Sequence, residues 1–222
     1  MTAKQVLIWV TAAVVYAALI FGGAGTIFWP EGSLFFLSLL ALGGATISLK
    51  NPGLIRERTS MPIQKGQESW DKWFQAIFSP LILIWFVLNG ADAVRYGWSS
   101  VPWLLKWAGG IELSLGGYLV YRVFQVNTFA APVVKLQEER GQHVVSTGPY
   151  AHVRHPLYSG VALFFTGASL LMGAWYGLAL SAVIIVLFVG RTILEDRMLR
   201  RELPGYADYS KRVRYRLVPH IW

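Results

Sequence analysis

Five apolar runs punctuate the chain, and polar residues gather between them in short blocks. Spanning a bilayer takes about 20 mostly apolar residues, and the first run, Gln5 to Pro30, meets that length. A cleaved leader would have a shorter apolar core and a small-residue cleavage motif. This run instead continues through Phe21, Ile27, Phe28 and Trp29, which predicts a retained helix. Gly32 to Leu49 predicts a second helix. Trp73 to Ala91 predicts a third, with Pro80 as a kink that neighbouring helices accommodate. The fourth, Val101 to Tyr121, carries Lys106 near its start and Glu112 within it.

The last run, Pro156 to Gly190, has no charged residue in 35 positions. As one helix it would measure about 52 Å, against a hydrocarbon core of about 30 Å, so it must fold back. The break is expected at "MGAWYG", Met172 to Gly177, where glycines permit a turn and Trp175 and Tyr176 suit an interface. Each arm then falls short of a comfortable span, which predicts a tightly packed or partly re-entrant hairpin. The expected fold is all-α: one polytopic membrane domain over residues 1–222 with about five or six transmembrane helices. Residues 1–122 supply the early helices and 123–222 the hairpin and its polar flanks.

Composition agrees with that reading. The 222 residues are 55% hydrophobic and the mean hydropathy is +0.45, as in membrane proteins rather than soluble domains. Cysteine is absent, which removes disulfides, thiolate nucleophiles and cysteine-ligated zinc. The net charge is +8, and its distribution decides orientation. With the amino terminus in the cytosol, only Arg95 and Lys106 of the 20 lysines and arginines fall on the far side. Eight lie in the tail: Arg191, Arg197, Arg200, Arg201, Lys211, Arg212, Arg214 and Arg216. The positive-inside rule therefore places both termini in the cytosol. Topology and anionic headgroups account for the basic balance; no nucleic-acid module or aromatic-interleaved basic groove is present.

Polar chemistry concentrates in Asn127 to His155 and Arg191 to Trp222, which flank the hairpin and meet on one side of the membrane. A site built there takes a water-soluble ligand from the cytosol and a lipidic one from the bilayer. At the hairpin's mouth stands "GPYAHVRHPLYSG", Gly148 to Gly160. Beyond the hairpin comes "RTILEDRMLRRELPGYADYSKRVRYRLVP". In this order the segments resemble the isoprenylcysteine carboxyl methyltransferase family, which shares its carboxy-terminal layout with the phospholipid N-methyltransferases. The resemblance covers about residues 120 to 222, and "NPGLIRER", Asn51 to Arg58, is a weaker echo.

The resemblance implies a methyltransferase that uses S-adenosylmethionine without a Rossmann domain, and the chain has neither G-x-G-x-x-G after a strand nor a P-loop. By position, the implied cofactor contacts are Gln137, His143, Val144, Val145, Tyr150, His155, Pro156, Leu157, Tyr158 and Glu195. Lys135 is the alternative to Gln137. Arg191 is the arginine associated with the acceptor. The implied partner is a lipidic or prenylated acceptor, with an isoprenylcysteine-type carboxylate first and a phospholipid amine or a thiol as alternatives.

The residues themselves allow these roles. Arg191 and Glu195, four apart on an expected helix, share a face, which allows a mutual ion pair. Charge placed directly after an uncharged hairpin needs a reason. Glu195 suits ribose hydroxyls or an ammonium, and Arg191 suits an anionic acceptor held by a forked hydrogen bond. Arg154, the second candidate catalytic residue, suits a cofactor carboxylate, the acceptor or a lipid phosphate, with an interfacial anchor as the plain alternative. Pro156 fits a helix's first turn, and His155 precedes it, at a helix amino terminus that favours a carboxylate. His143, His152 and His155 lack the acidic or cysteine partner of a usual metal site, so no metal is expected. Tyr206, Tyr209 and Tyr215 predict a lid, and Glu112 a packing carboxylate. Gly109, Gly110, Gly116 and Gly117 predict close helix contact. Two rival readings are an NADPH-dependent sterol-type reductase, whose carboxy-terminal segment also resembles "YADYSKRVRYRLVP", and a lipid-binding factor without turnover. Methyl acceptor and oligomeric state are left open by the sequence.

Overall fold

A computed structural model describes residues 2–60 and 63–222. Helix α1 (Ala3–Ala24) begins at a capping box in which Thr2 and Gln5 satisfy each other's amides, and it ends at Gly25 with φ of 73°. Pro30 opens α2 (Pro30–Ser48), and Gly32 is required there because a Cβ would sit 2.2 Å from the Trp29 ring. After the short α3 (Pro52–Arg58), capped by Asn51, comes α4 (Ser69–Gly90), which continues through Pro80. A single π-helical turn, Ala91–Arg95, extends it. Then follow α5 (Trp103–Val126), α6 (Pro156–Met172), α7 (Trp175–Glu202) and α8 (Tyr206–Arg212). No strand occurs among the described residues.

Four helical segments are long and apolar enough to cross a membrane: α1, α2, α4 with its π turn, and α7. With α5, whose charges lower its hydropathy, and the 17-residue α6, the bundle has six long helices. The expected hairpin forms where the glycines allow it. Gly173 adopts φ of 84° and closes α6, and α7 starts two residues later. Its first amides are satisfied by the loops beside it. Trp175 N–H donates to Ser99 Oγ at 2.9 Å and Tyr176 N–H to Asp92 Oδ2 at 2.9 Å. One expectation is corrected here. The hairpin's arms are unequal, because α7 runs on past Gly190 for 28 residues in all, about 42 Å. Its charged last turns are helical because their charges are paired or face solvent.

Packing fixes the direction of each helix. Helices α5 and α6 are antiparallel and touch at the backbone. A Cβ on Gly109 would lie 2.7 Å from the Gly167 carbonyl, and one on Gly116 would lie 2.8 Å from that of Gly160. The stripe contains Gly109 and Gly116, as expected, but not Gly110, where a side chain would meet only Leu171 at 3.6 Å, or Gly117, which faces open space. Across the same contact, Thr166 Oγ1 donates to Glu112 Oε1 at 2.5 Å. Helices α4 and α7 are also antiparallel, joined by Trp85 Nε1 to Ser181 Oγ at 2.8 Å at one end and by Arg191 to Asp71 at 3.0 Å at the other. The main core of Phe35, Trp85, Phe165, Met172 and Ile184 lies between them. The ends of α5 and α7 therefore meet the starts of α4 and α6 at one pole of the bundle.

Candidate active site

At that pole the tail folds back over the start of α6. The amides of Arg154 and His155 donate to the carbonyls of Tyr215 and Arg216, both at 2.9 Å, and Ser159 Oγ donates to the Leu217 carbonyl at 2.6 Å. The rivet is Asp196, 1% exposed. It accepts from Arg154 Nε at 2.7 Å, Tyr206 Oη at 2.9 Å, Arg200 Nε at 3.2 Å and Arg216 Nε at 3.4 Å. Arg154 is consequently committed to structure. It also reaches Asp196 Oδ2 through Nη2 and the carbonyls of Val213 and Arg214 through Nη1. The forked guanidinium suits this clamp, and it leaves little for a ligand. Asp196, adjacent to Glu195, was not singled out by sequence pattern, because a hub is recognised by the partners that converge on it.

Under the tail lies a small cavity of about 100 Å³. Gln137, His143, Val144, Val145, Tyr150, His155, Leu157, Tyr158 and Glu195 all line it, joined by Lys135 and Arg154. Pro156 does not; it is buried in the first turn of α6. Of the expected tyrosine lid, Tyr206 and Tyr209 close one wall, whereas Tyr215 packs away against His220. Gln137 is held by its own polymer: its Nε2 donates to the Phe129 carbonyl at 2.7 Å and its Oε1 accepts from Arg140. Lys135 pairs with Glu57 at 3.2 Å. Tyr150 accepts at its hydroxyl from Asn127 Nδ2 at 2.6 Å, and burial pushes its ionisation up to about 12. Burial raises Tyr206 and Tyr209 as well, with the Asp196 carboxylate adding to the effect on both.

The Arg191 to Glu195 ion pair that helical spacing allows does not form. Arg191, 6% exposed, reaches Asp71 Oδ1 on α4 at 3.0 Å and the Pro132 carbonyl at 2.8 Å. Its guanidinium lies 4.4 Å over Phe74 and 5.6 Å over Tyr158. Glu195 instead accepts from Tyr158 Oη at 2.5 Å. The reason is the demand of buried neighbours. Asp71 has no exposure and needs a cation, and a buried Tyr158 hydroxyl needs an acceptor. Asp71 also accepts from the Val134 amide at 2.8 Å and Gln67 Nε2 at 2.9 Å, which ties the 127–137 loop to α4. His155 stacks on Tyr158, with centroids 5.8 Å apart and planes 4° from parallel. Among the described residues no cluster of three histidine or acidic side chains is placed to hold a metal ion.

A second, larger cavity of about 720 Å³ lies between α1, α2, α4, α5 and α6 and is predominantly apolar. Ala131, Leu157 and Tyr158 belong to the walls of both cavities. Glu195 faces the small one and Arg191, one turn away, the large one. Arg58, at the end of α3, also lines the large cavity.

Six long helices, four of them long and apolar enough to cross a membrane, with a polar pocket at one pole and an apolar chamber beside it, define an integral membrane protein with adjoining polar and apolar sites. The phospholipid methyltransferase family model matches residues 104–204, from α5 through α7 and including both cavity walls at Tyr158. Over that segment the chain is similar to this family of membrane methyltransferases. Among curated proteins none matches the chain.

Proposed function

We propose that the protein transfers a methyl group from S-adenosylmethionine to the carboxylate of a lipidic acceptor of isoprenylcysteine type. The observation that carries this reading is the shared wall: a polar cavity and an apolar one meet at Tyr158, with Glu195 on one side and Arg191 on the other. The polar cavity fits the cofactor in kind. Glu195 accepts from ribose hydroxyls or the ammonium group, and the rings of Tyr158, Tyr206 and Tyr209 suit a purine and a sulfonium. Its volume is below the roughly 300 Å³ of ordinary ligand sites, so cofactor binding in this reading requires the cavity to widen.

When bound, S-adenosylmethionine supplies an electrophilic methyl carbon; transfer forms one C–O bond, breaks one S–C bond and leaves the electron pair on sulfur. The chain's residues align the reacting groups and exclude water. Tyr158 and Leu157 form the partition at which donor and acceptor meet, and Arg191, fixed by Asp71 and Pro132, orients the acceptor's head. A carboxylate acceptor requires no proton removal, which agrees with a wall that offers no free base. In this reading both termini and the polar pole face the cytosol, the side from which the cofactor enters. A phospholipid amine is the second reading, favoured by the family match alone.

The test is calorimetric binding of S-adenosylhomocysteine and of NADPH to the purified full chain, with Glu195→Ala as control. Binding of the adenosyl ligand that weakens about tenfold or more in the variant supports the proposal. NADPH binding without adenosyl-ligand binding sinks it in favour of a reductase, and binding of neither removes the enzyme reading.

A further inference from the structure

The large cavity has a chemical asymmetry beyond its shape. Three of its lining residues carry buried polar atoms with no hydrogen-bond partner: Trp9 Nε1, Arg58 Nε and Nη2, and Arg191 Nε. All are N–H donors. No unpartnered acceptor occurs among the cavity's described lining residues. Buried donors without partners are costly, and such gaps in a folded protein call for an explanation.

Charge points the same way. Arg191 is balanced by Asp71. Arg58 makes no ion pair among the described residues; its neighbour Glu57 turns away to Lys135 at 3.2 Å and Arg140 at 3.9 Å. What holds Arg58 is the Phe124 ring, 4.4 Å beneath its guanidinium carbon. Stacking of this kind leaves the edge of the fork free to donate. Burial, with the Arg191 charge adding to it, pulls the Arg58 ionisation down to about 10, which still leaves it a cation at neutral pH. The apolar chamber therefore contains one uncompensated positive charge and a set of donors.

We propose that Arg58 is the residue by which this cavity selects an anionic head on its acceptor. The inference rests on the methyltransferase reading for the word acceptor; the anion site itself does not. A carboxylate offers several lone-pair positions to donors, and a charge-assisted fork from Arg58 supplies both attraction and orientation. A protonated amine head presents only donors and a like charge, which disfavours it.

Three probes sharing a farnesyl thioether tail, and ending in a carboxylate, a carboxamide or an amine, test the proposal by equilibrium binding to the detergent-purified full chain without donor. The wild type is expected to bind the acid about tenfold or more tighter than the amide, and the amine most weakly. In Arg58→Met, which keeps length and loses charge, the acid should fall to within about twofold of the amide. Trp9→Phe, a milder change, should reduce the preference by about threefold. S-adenosylhomocysteine binding reports that each variant is folded. Equal binding of acid and amide by the wild type, tightest binding of the amine, or an undiminished preference in a folded Arg58→Met variant overturns the proposal. Failure of S-adenosylhomocysteine to bind the wild type, with the acid preference intact, overturns the methyltransferase reading and leaves the anion site standing.

Discussion

At the pole of the bundle, Asp71, Arg191, Tyr158 and Glu195 connect α4, α7 and α6, through the Arg191–Asp71 ion pair and the Tyr158–Glu195 hydrogen bond. Helical spacing suggested Arg191 with Glu195; geometry chose otherwise, because i,i+4 spacing permits a contact but does not rank it against a fully buried carboxylate. Asp71 was not legible as that partner, since a residue opening one helix carries no sign of the distant residue it will meet. That the candidates between Gln137 and Tyr158 would line one cavity was more legible, because most share one continuous turn-rich segment. The tyrosines give a pH signature. Tyr150, raised to about 12 by burial, stays neutral in the fold while its unfolded counterpart ionises near pH 10. Its stabilising contribution is thus complete below about pH 10 and is lost as pH rises through about 12, with Tyr206 and Tyr209 acting in the same direction. Thermal unfolding in detergent should therefore fall steeply above about pH 10, and Tyr150→Phe should flatten part of that fall, on the order of 1–3 kcal/mol. A curve unchanged by the substitution would show that Tyr150 is solvated in the fold.

Among the helices, the α5 to α6 contact is where sequence and packing can be separated by one residue. Gly116 and Gly117 are neighbours of the same type, and a membrane-helix reading gives both the same role. In the fold a Cβ on Gly116 would press on the Phe164 amide at 2.7 Å, whereas Gly117 has nothing within 4 Å. Backbone cannot yield as a side chain does, so Gly116→Ala should destabilise by about 1–3 kcal/mol. Gly117→Ala should be neutral or slightly stabilising, through helix propensity. Melting of the two variants side by side checks this, and equal losses would mean that α5 packs in another rotation. The hairpin's turn was legible for a related reason, since an uncharged run too long for the bilayer must break and Gly173 offers the left-handed conformation required. The length of α7 was not, because its last turns are charged. Among those charges Asp196 finds its closest partner in Arg154, which arrives from the other flank of the hairpin.

For the whole molecule, the two cavities impose a requirement on orientation. Their shared wall lies at the pole where the basic loops and tail gather, and a soluble nucleoside cofactor can reach that pole only from an aqueous compartment that holds it. On the proposed reading the distribution of lysine and arginine points the pole to the cytosol, which puts the loop after α4 across the membrane from both termini. Because the chain has no cysteine, each position can be probed by a single introduced thiol with no background. Ser100→Cys falls in the exposed stretch before α5, and Thr2→Cys and Asp208→Cys fall at exposed sites near the two ends. In sealed cells a membrane-impermeant maleimide should label only Ser100→Cys, and Thr2→Cys and Asp208→Cys should react only after permeabilisation. Labelling of Asp208→Cys in intact cells would turn the pole outward, away from the cytosol, and the cofactor assignment would fall with the topology. Labelling of Thr2→Cys but not Asp208→Cys would mean an odd number of crossings, which breaks the antiparallel arrangement that brings α4, α6 and α7 together around Tyr158. The expected pattern leaves cytosolic entry for the cofactor and a route between the helices, through the chamber walled by α1 and α2, for the lipidic acceptor.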